Sequence, residues 1–580
     1  MKAAFFSILL IILFFGCSSQ TPEIAVLEPR IGVMGQLVTI RGRGFGEERN
    51  ESFVTIAGIA PTSSSYVSWT DSEIVLRTPE FGDAGLVYVH RGSSRSNPAL
   101  FANHLNLPTA AFEDAGTNPR ITSISPSSGP IGTLITIQGR NFGSSRANSE
   151  VYFSWIFDSF SSSQENIDFI AASENDFAYE HWSEREIRVR VPDGAVSGNI
   201  EVRTLRGNTL PAFFEVTGVL GTKSFPEKRS FNISYSVDIA VERAVMPNSL
   251  FIFMPLPVTS SSQQNMTLLE RSSEPFVDNY QGTTLFQFSN LSARASEQIY
   301  VSYQIDVYEV ETNIRAQAPP RLNSPNLINT VYTLPSPLIP SSNDQIRARA
   351  TEIIARETLL LTRAQRIYQW IITNKNIGIF SDDIYRDAIV EEVSTAEMDF
   401  SMEDPEEEPE AEDYLESSED EALEIDLSQL VLDALNETDI TSYQAALLFT
   451  ALARAAGIPA IPVSGVLIDF ESGITRHFWS EFYIDGFGWI PVDPSLGSGS
   501  APPLFPLREN YGTYYFGNLD FNRITFSRAE HNLMQMTPTG RTLSRPLEFS
   551  LQNLWEEASG GLDSYFSVWS NVTILEIEDE

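Results

Sequence analysis

Apolar and polar residues alternate with a period of two along much of this chain, interrupted by segments of helical spacing. Val38 and Ile40 alternate with Thr39 and Arg41, and Ile187, Val189 and Val191 alternate with arginines, the pattern of half-buried strands. The alternation continues in FNISYSVDI from Phe231 and IYVSYQIDVY from Ile299, with LFIFMPLPV between them, which predicts a further β-rich unit. A proline-rich joint over 318–341 then leads to helical spacing. Ile346, Ile353, Ile354, Leu360, Leu361, Ile367, Trp370 and Ile371 recur as they do on a helix packed against a core.

Two stretches repeat. PRIGVMGQLVTIRGRGFG from Pro29 and PSSGPIGTLITIQGRNFG from Pro126 keep Gly35/Gly132, Gly42/Gly139 and Phe45/Phe142 in register, and WTDSEIVLRTP from Trp69 answers WSEREIRVRVP from Trp182. The glycines fit tight turns or bulges between strands. These blocks resemble IPT/TIG domains, immunoglobulin-like β-sandwiches, over 21–104 and 118–217. Such modules serve as spacers or as adhesive surfaces, so the resemblance names no ligand. The second copy carries an insertion around 153–180, rich in Phe, Ser, Asp and Glu, and that loop is the better candidate for a contact surface.

Charge narrows the function classes. The formal net charge is −38, which argues against nucleic acid as partner, because phosphate binding needs clustered Lys and Arg. Much of the acid sits in 391–426, densest as EDPEEEPEAEDYLESSEDEALEID, a run that repels itself and predicts a disordered insertion. It lacks the Asp-x-Asp-x-Asp-Gly spacing of a calcium loop, the five histidines are scattered, and no metal or cofactor is implied.

The start, MKAAFFSILLIILFFGCSSQ, has Lys2, an apolar run from Ala3 to Phe15, then Gly16-Cys17. The run is short for a bilayer span and has the shape of a secretory h-region. It resembles a bacterial lipoprotein signal, in which Cys17 is acylated and becomes the mature N-terminus. Phe14 stands where leucine is usual, and simple secretion or an uncleaved anchor are the alternatives. Cys17 is the chain's one cysteine, so no thiol remains for a disulfide, a metal site or a nucleophile.

That absence matters most between 441 and 495, where the chain reads TSYQAALLFTALARAAGIPAIPVSG and later RHFWSEFYIDGFGWIPVDPS. This segment resembles the catalytic core of the transglutaminase-like superfamily, and YYFGNLDFNRITFSR at 514–528 extends the resemblance. In that family a cysteine opens a helix ending in Arg-x-x-Gly-Ile-Pro-Ala, a histidine begins a following strand, and an aspartate lies on the next. Carried onto this sequence, the roles fall on Ser442, His477 and Asp493. The family's chemistry needs a thiolate at a helix N-terminus, where the dipole and a nearby histidine lower the thiol pKa from about 8.5. A serine hydroxyl is far harder to ionise and needs proton removal concerted with attack. Thr441 and Gln444 also fit a capping box and Gly457 a C-cap, which makes Ser442 an ordinary first-turn residue. Ile440 stands where the family commonly has glycine. His477, Trp479, Glu481 and Tyr483 share a strand face, and the turn at 485–488 folds Trp489 and Asp493 back beside it, which gives Trp479, Glu481 and Trp489 as pocket residues.

The expectation is a multidomain protein, with N-terminal all-β immunoglobulin-like sandwiches followed by an α+β transglutaminase-like (papain-like) domain. Its divisions are a signal at 1–20, the two repeats, a β-sandwich at 218–317, a core at 340–500 with the acidic insertion, and a C-terminal extension at 501–580. The resemblance implies a cell-envelope lipoprotein, periplasmic or surface-exposed, attached to the membrane through lipid on Cys17. Its altered domain would bind a protein or peptide in the former active-site groove without catalysis. An amide-acting enzyme using Ser442, His477 and Asp493, and an adhesin working through its repeats, stay open as alternatives.

Overall fold

The computed structural model describes residues 21–579 except 33–35, 51, 80–84, 93, 104–117, 147–148, 158–165, 379–426, 470–472, 538–539 and 546–547. Cys17 and the acidic run at 391–426 lie outside the described residues.

Each repeat is a two-sheet sandwich. One sheet of the first runs Glu23–Glu28, Leu37–Arg43, Glu73–Arg77, Tyr66–Trp69, and that of the second Arg120–Ser125, Leu134–Arg140, Glu186–Arg190, Tyr179–Trp182. Val38, Ile40, Ile187 and Val189 are 0% exposed, as the alternation predicts. The repeated residues have repeated jobs. The ring N–H of Trp69 donates to the Phe45 carbonyl at 3.1 Å, and Trp182 does the same to Phe142 at 3.2 Å. A Cβ on Gly42 would stand 1.9 Å from the Glu23 carbonyl oxygen, and one on Gly139 2.2 Å from that of Arg120, so neither position admits a side chain. The second repeat adds an edge strand, Asn166–Ala171, on Glu150–Phe157.

The third β unit is a larger sandwich. Strand β1 (Lys228–Ala244) buries Phe231, Ile233, Tyr235, Val237, Ile239 and Val241 on one face, against β2 (Ser249–Pro255) of the opposite sheet. In its own sheet β4 (Ser296–Tyr308) pairs with it directly, and β3 (Gln263–Arg271) pairs with the far side of β4. The core follows: helices α1 (Asp344–Ile354), α2 (Leu360–Asn374), α3 (Leu427–Asn436) and α4 (Ser442–Ala455), then a sheet of β5 (Ala460–Asp469), β6 (Gly473–Ile484), β7 (Gly488–Val492) and β8 (Arg523–Arg528) in the order β7-β6-β5-β8. The helical segment from 343 is therefore two helices. Ala355 is left-handed (φ 50°), and the Glu357 carboxylate accepts the N–H groups of Thr358 and Leu359, which separates them.

The chain then returns to the sandwich. Strands β9 (Leu562–Trp569) and β10 (Thr573–Asp579) pair with successive halves of β1, and Glu556–Ala558 pairs with β2. The 218–317 unit and the end of the 501–580 extension are thus one sandwich, with the core inserted between them. Local alternation cannot reveal a partner more than 300 residues away. No helix among the described residues is long and apolar enough to cross a membrane.

The first repeat docks on this sandwich through His90, 2% exposed. Its ring stacks on Phe53 at 4.5 Å, meets the edge of Phe276 from the sandwich at 4.5 Å, and Nε2 lies 2.8 Å from the Thr55 hydroxyl. Burial, and then Arg95, push its pKa down to about 3. The folded imidazole is neutral while the unfolded one titrates near 6.5, so stability is lost as pH falls from about 6.5 toward 3. The first repeat is expected to lose about 2 kcal/mol by pH 5, and His90→Phe to remove that dependence, as read by urea melts of both proteins at pH 7 and pH 5.

Candidate functional site

Helix α4 is set by its ends. The Thr441 hydroxyl accepts the Gln444 N–H at 3.3 Å and the Gln444 side chain accepts the Thr441 N–H at 3.0 Å, a complete capping box. At the other end Gly457 is left-handed (φ 76°) and turns the chain into β5. Arg454 explains the arginine in the Arg-x-x-Gly-Ile-Pro-Ala segment: buried, it donates to the carbonyls of Ala460 at 2.8 Å and Leu334 at 2.9 Å, pinning helix, strand and linker together.

The period of two on β6 then sorts its side chains. Phe478, Ser480 and Phe482 meet α4, with the Ser480 hydroxyl donating to the Ala446 carbonyl at 2.9 Å. His477, Trp479 and Glu481 take the opposite face.

His477 and Asp493 come together as the hairpin predicts, Nε2 to Oδ2 at 2.8 Å. Asp493, 0% exposed, has two further partners: Arg523 donates to Oδ2 at 3.1 Å and the Leu496 N–H to Oδ1 at 3.1 Å. Arg523 is itself bound to Asp520 at 2.8 Å and lies over the Trp479 ring at 5.0 Å, while Trp479 stacks with His477 at 6.1 Å. Burial works against the Asp493 charge, yet His477, Arg523 and the Leu496 N–H hold its carboxyl below the ordinary value. Burial likewise opposes the Arg523 charge, and the two carboxylates overcome it. The sequence carries one signal for Arg523 and Asp520, their spacing of three within 514–528.

Ser442 is placed differently. It is 1% exposed and its hydroxyl has no hydrogen-bond partner, so no bond joins it to His477. With His477 at 4% and Asp493 at 0%, these three residues do not line an open groove. The expected pocket residues divide. Trp479 belongs to the His477 site, whereas the Glu481 carboxylate accepts Arg528 at 2.7 Å and the Trp489 ring N–H donates to Asp176 at 2.9 Å. Asp176 lies in the 153–180 insertion, so the described end of that loop contacts the protein's own core. Among the described residues no group of three or more His, Cys, Asp or Glu is placed to hold a metal ion.

Residues 413–494 match the transglutaminase-like superfamily, and residues 22–102 and 119–215 match the IPT/TIG domain. Two curated proteins are similar over short segments. They are a cyclomaltodextrin glucanotransferase of Paenibacillus macerans (32% identical over 93 residues, 16% of this chain and 13% of that protein) and an uncharacterized protein of Haemophilus influenzae (33% over 118 residues, 16% and 31%). The chain thus spans less than a third of either relative. Among solved structures, a candidate cysteine protease of Cytophaga hutchinsonii is 16% identical, with 60% of this chain and 92% of that chain covered and a TM-score of 0.31. The periplasmic domain of TgpA from Pseudomonas aeruginosa is 14% identical, with 48% and 88% covered and a TM-score of 0.22.

Removing the cation between two buried carboxylates is costly, because neither can reach water. Arg523→Met is expected to destabilise the protein by about 3–5 kcal/mol at pH 7, read from denaturant midpoints, and to lose part of that penalty at acid pH, where the carboxyls protonate.

Proposed function

We propose that this protein, with two IPT/TIG domains and a transglutaminase-like domain on one chain, is a cell-envelope lipoprotein whose transglutaminase-like domain binds and scaffolds without turning over amides. The observation that carries the reading is the Ser442 hydroxyl, buried and without a hydrogen bond. A serine nucleophile needs a base within hydrogen-bond reach to take its proton as it attacks, since the hydroxyl does not ionise near neutral pH. Here the residue in the nucleophile position lacks that contact, and the His477–Asp493 pair is closed in under Trp479 and Arg523. The retained 2.8 Å His–Asp bond is the observation that favours the second reading, a serine-dependent amide hydrolase or transferase.

A protein or peptide partner is part of the proposal. Apolar side chains stand out at corresponding positions of the two repeats, Leu100 at 60% exposure on Ala99–Asn103 and Phe213 at 66% on Ala212–Val216. Leu86, cross-strand from Leu100, is 44% exposed and widens the first patch. Anchorage through lipid on Cys17, on the periplasmic or outer face of a membrane, rests on the apolar run before that residue.

Two experiments test this. Incubated with a fluorophosphonate and with amine-labelled glutamine peptides, the native protein is expected to show no labelling or transamidation above background. Ser442→Ala should raise its stability by about 1 kcal/mol, since it removes an unpaired buried hydroxyl. Turnover that Ser442→Ala abolishes would replace this reading with the serine enzyme. For the anchor, Cys17→Ser should abolish incorporation of labelled fatty acid, and unchanged labelling would sink the lipoprotein assignment.

A further inference from the structure

A cleft of about 1100 Å³ lies where the two repeats, the sandwich and the core meet, and it does not include Ser442, His477 or Asp493. Pockets for single small molecules run to about 1000 Å³, so this one has room for an oligomeric ligand. Several of its charges are matched in place. Arg528 is held by Glu481 at 2.7 Å and Asp176 at 3.5 Å, Lys223 by Asp193 at 2.6 Å, and Arg146 by Glu174 at 2.7 Å.

Arg77, Glu150 and Glu530 also line the cleft, and between the charged groups the wall is neutral and polar. Thr259, Asn265, Asn279 and Gln281 from the sandwich, Asn175 from the second repeat and Asn532 from the core line it with exposed hydroxyl or amide groups. Phe169, Phe177 and Tyr332 line it as half-buried rings.

The backbone is also unusual there. Phe177 (φ 52°) and Ala529 (φ 69°) both adopt the left-handed conformation, which costs a residue with a side chain on the order of 1 kcal/mol, and both line the cleft. Strain of this kind is retained where a site requires a particular presentation of groups.

We infer that the cleft is a binding site for a neutral oligosaccharide. Such a ligand presents C–H faces that stack on rings and hydroxyls that exchange hydrogen bonds with amides, and it needs no net charge from the wall. A chain of net charge −38 disfavours an anionic polymer. An extended peptide would need a free strand edge. The edge strand Asn166–Ala171 borders the cleft, but the Phe169 N–H is already taken by the Asp168 carboxylate at 2.8 Å. The inference stands apart from whether Ser442 and His477 act chemically.

Calorimetric titration of the full chain with maltohexaose, cellohexaose, xylohexaose and chitohexaose tests it, beside a hexagalacturonate and an unstructured glutamine peptide. At least one neutral hexasaccharide is expected to bind with a Kd below about 1 mM, and Phe177→Ala and Asn532→Ala each to weaken it by about tenfold at unchanged melting temperature. Asn532 is exposed, so its variant remains a fair test where Phe177→Ala misfolds. The inference is overturned if no neutral hexasaccharide binds, if only the anionic sugar or the peptide does, or if binding is indifferent to both substitutions.

Discussion

The core is organised around a carboxylate that has no water. Asp493 must be satisfied by protein alone, and it is met from three directions: the imidazole of His477, the guanidinium of Arg523 and the N–H of Leu496. Each contact fixes an element. His477 holds β6, Arg523 holds the end of β8, and Leu496 holds the short helix that Asp493 caps. A buried charge with fewer partners would cost several kcal/mol, so β6, β8 and the end of β7 share one position. Asp520 extends the same constraint, because Arg523 between two carboxylates cannot turn toward either without uncovering the other.

A second charge cluster does for the domains what Asp493 does within the core. Arg528 lies over the Trp489 ring at 5.1 Å, between Glu481 and Asp176, and Asp176 also accepts the Trp489 ring N–H. Glu481 and Trp489 share a strand face with His477, yet they face the second repeat. One sheet surface therefore carries both the buried His477–Asp493 pair and a domain interface.

Features decided within a few residues were legible in the sequence. The paired glycines and tryptophans gave the repeats, Thr441 and Gln444 the helix start, and Asp485–Gly486–Phe487–Gly488 the hairpin that aligns His477 with Asp493. What stayed hidden was long-range. Period-two alternation puts Glu481 and Trp489 on a face but cannot say which domain covers it. Arg523 lies 30 residues beyond Asp493, and nothing local marks its partner. The break at Ala355 leaves no mark in the sequence, because apolar spacing continues across it into α2.

The returning strands set a condition on time. The Ser236 N–H is bonded to the Ser570 hydroxyl, 334 residues along the chain, and the free edge of β1 stays uncovered until β9 and β10 reach it. A chain emerging N-terminus first can assemble both repeats early, whereas the sandwich closes only after the core has been made. Until then β1 presents an unpaired edge to any neighbouring strand, so the sandwich is the slow and aggregation-prone step of folding.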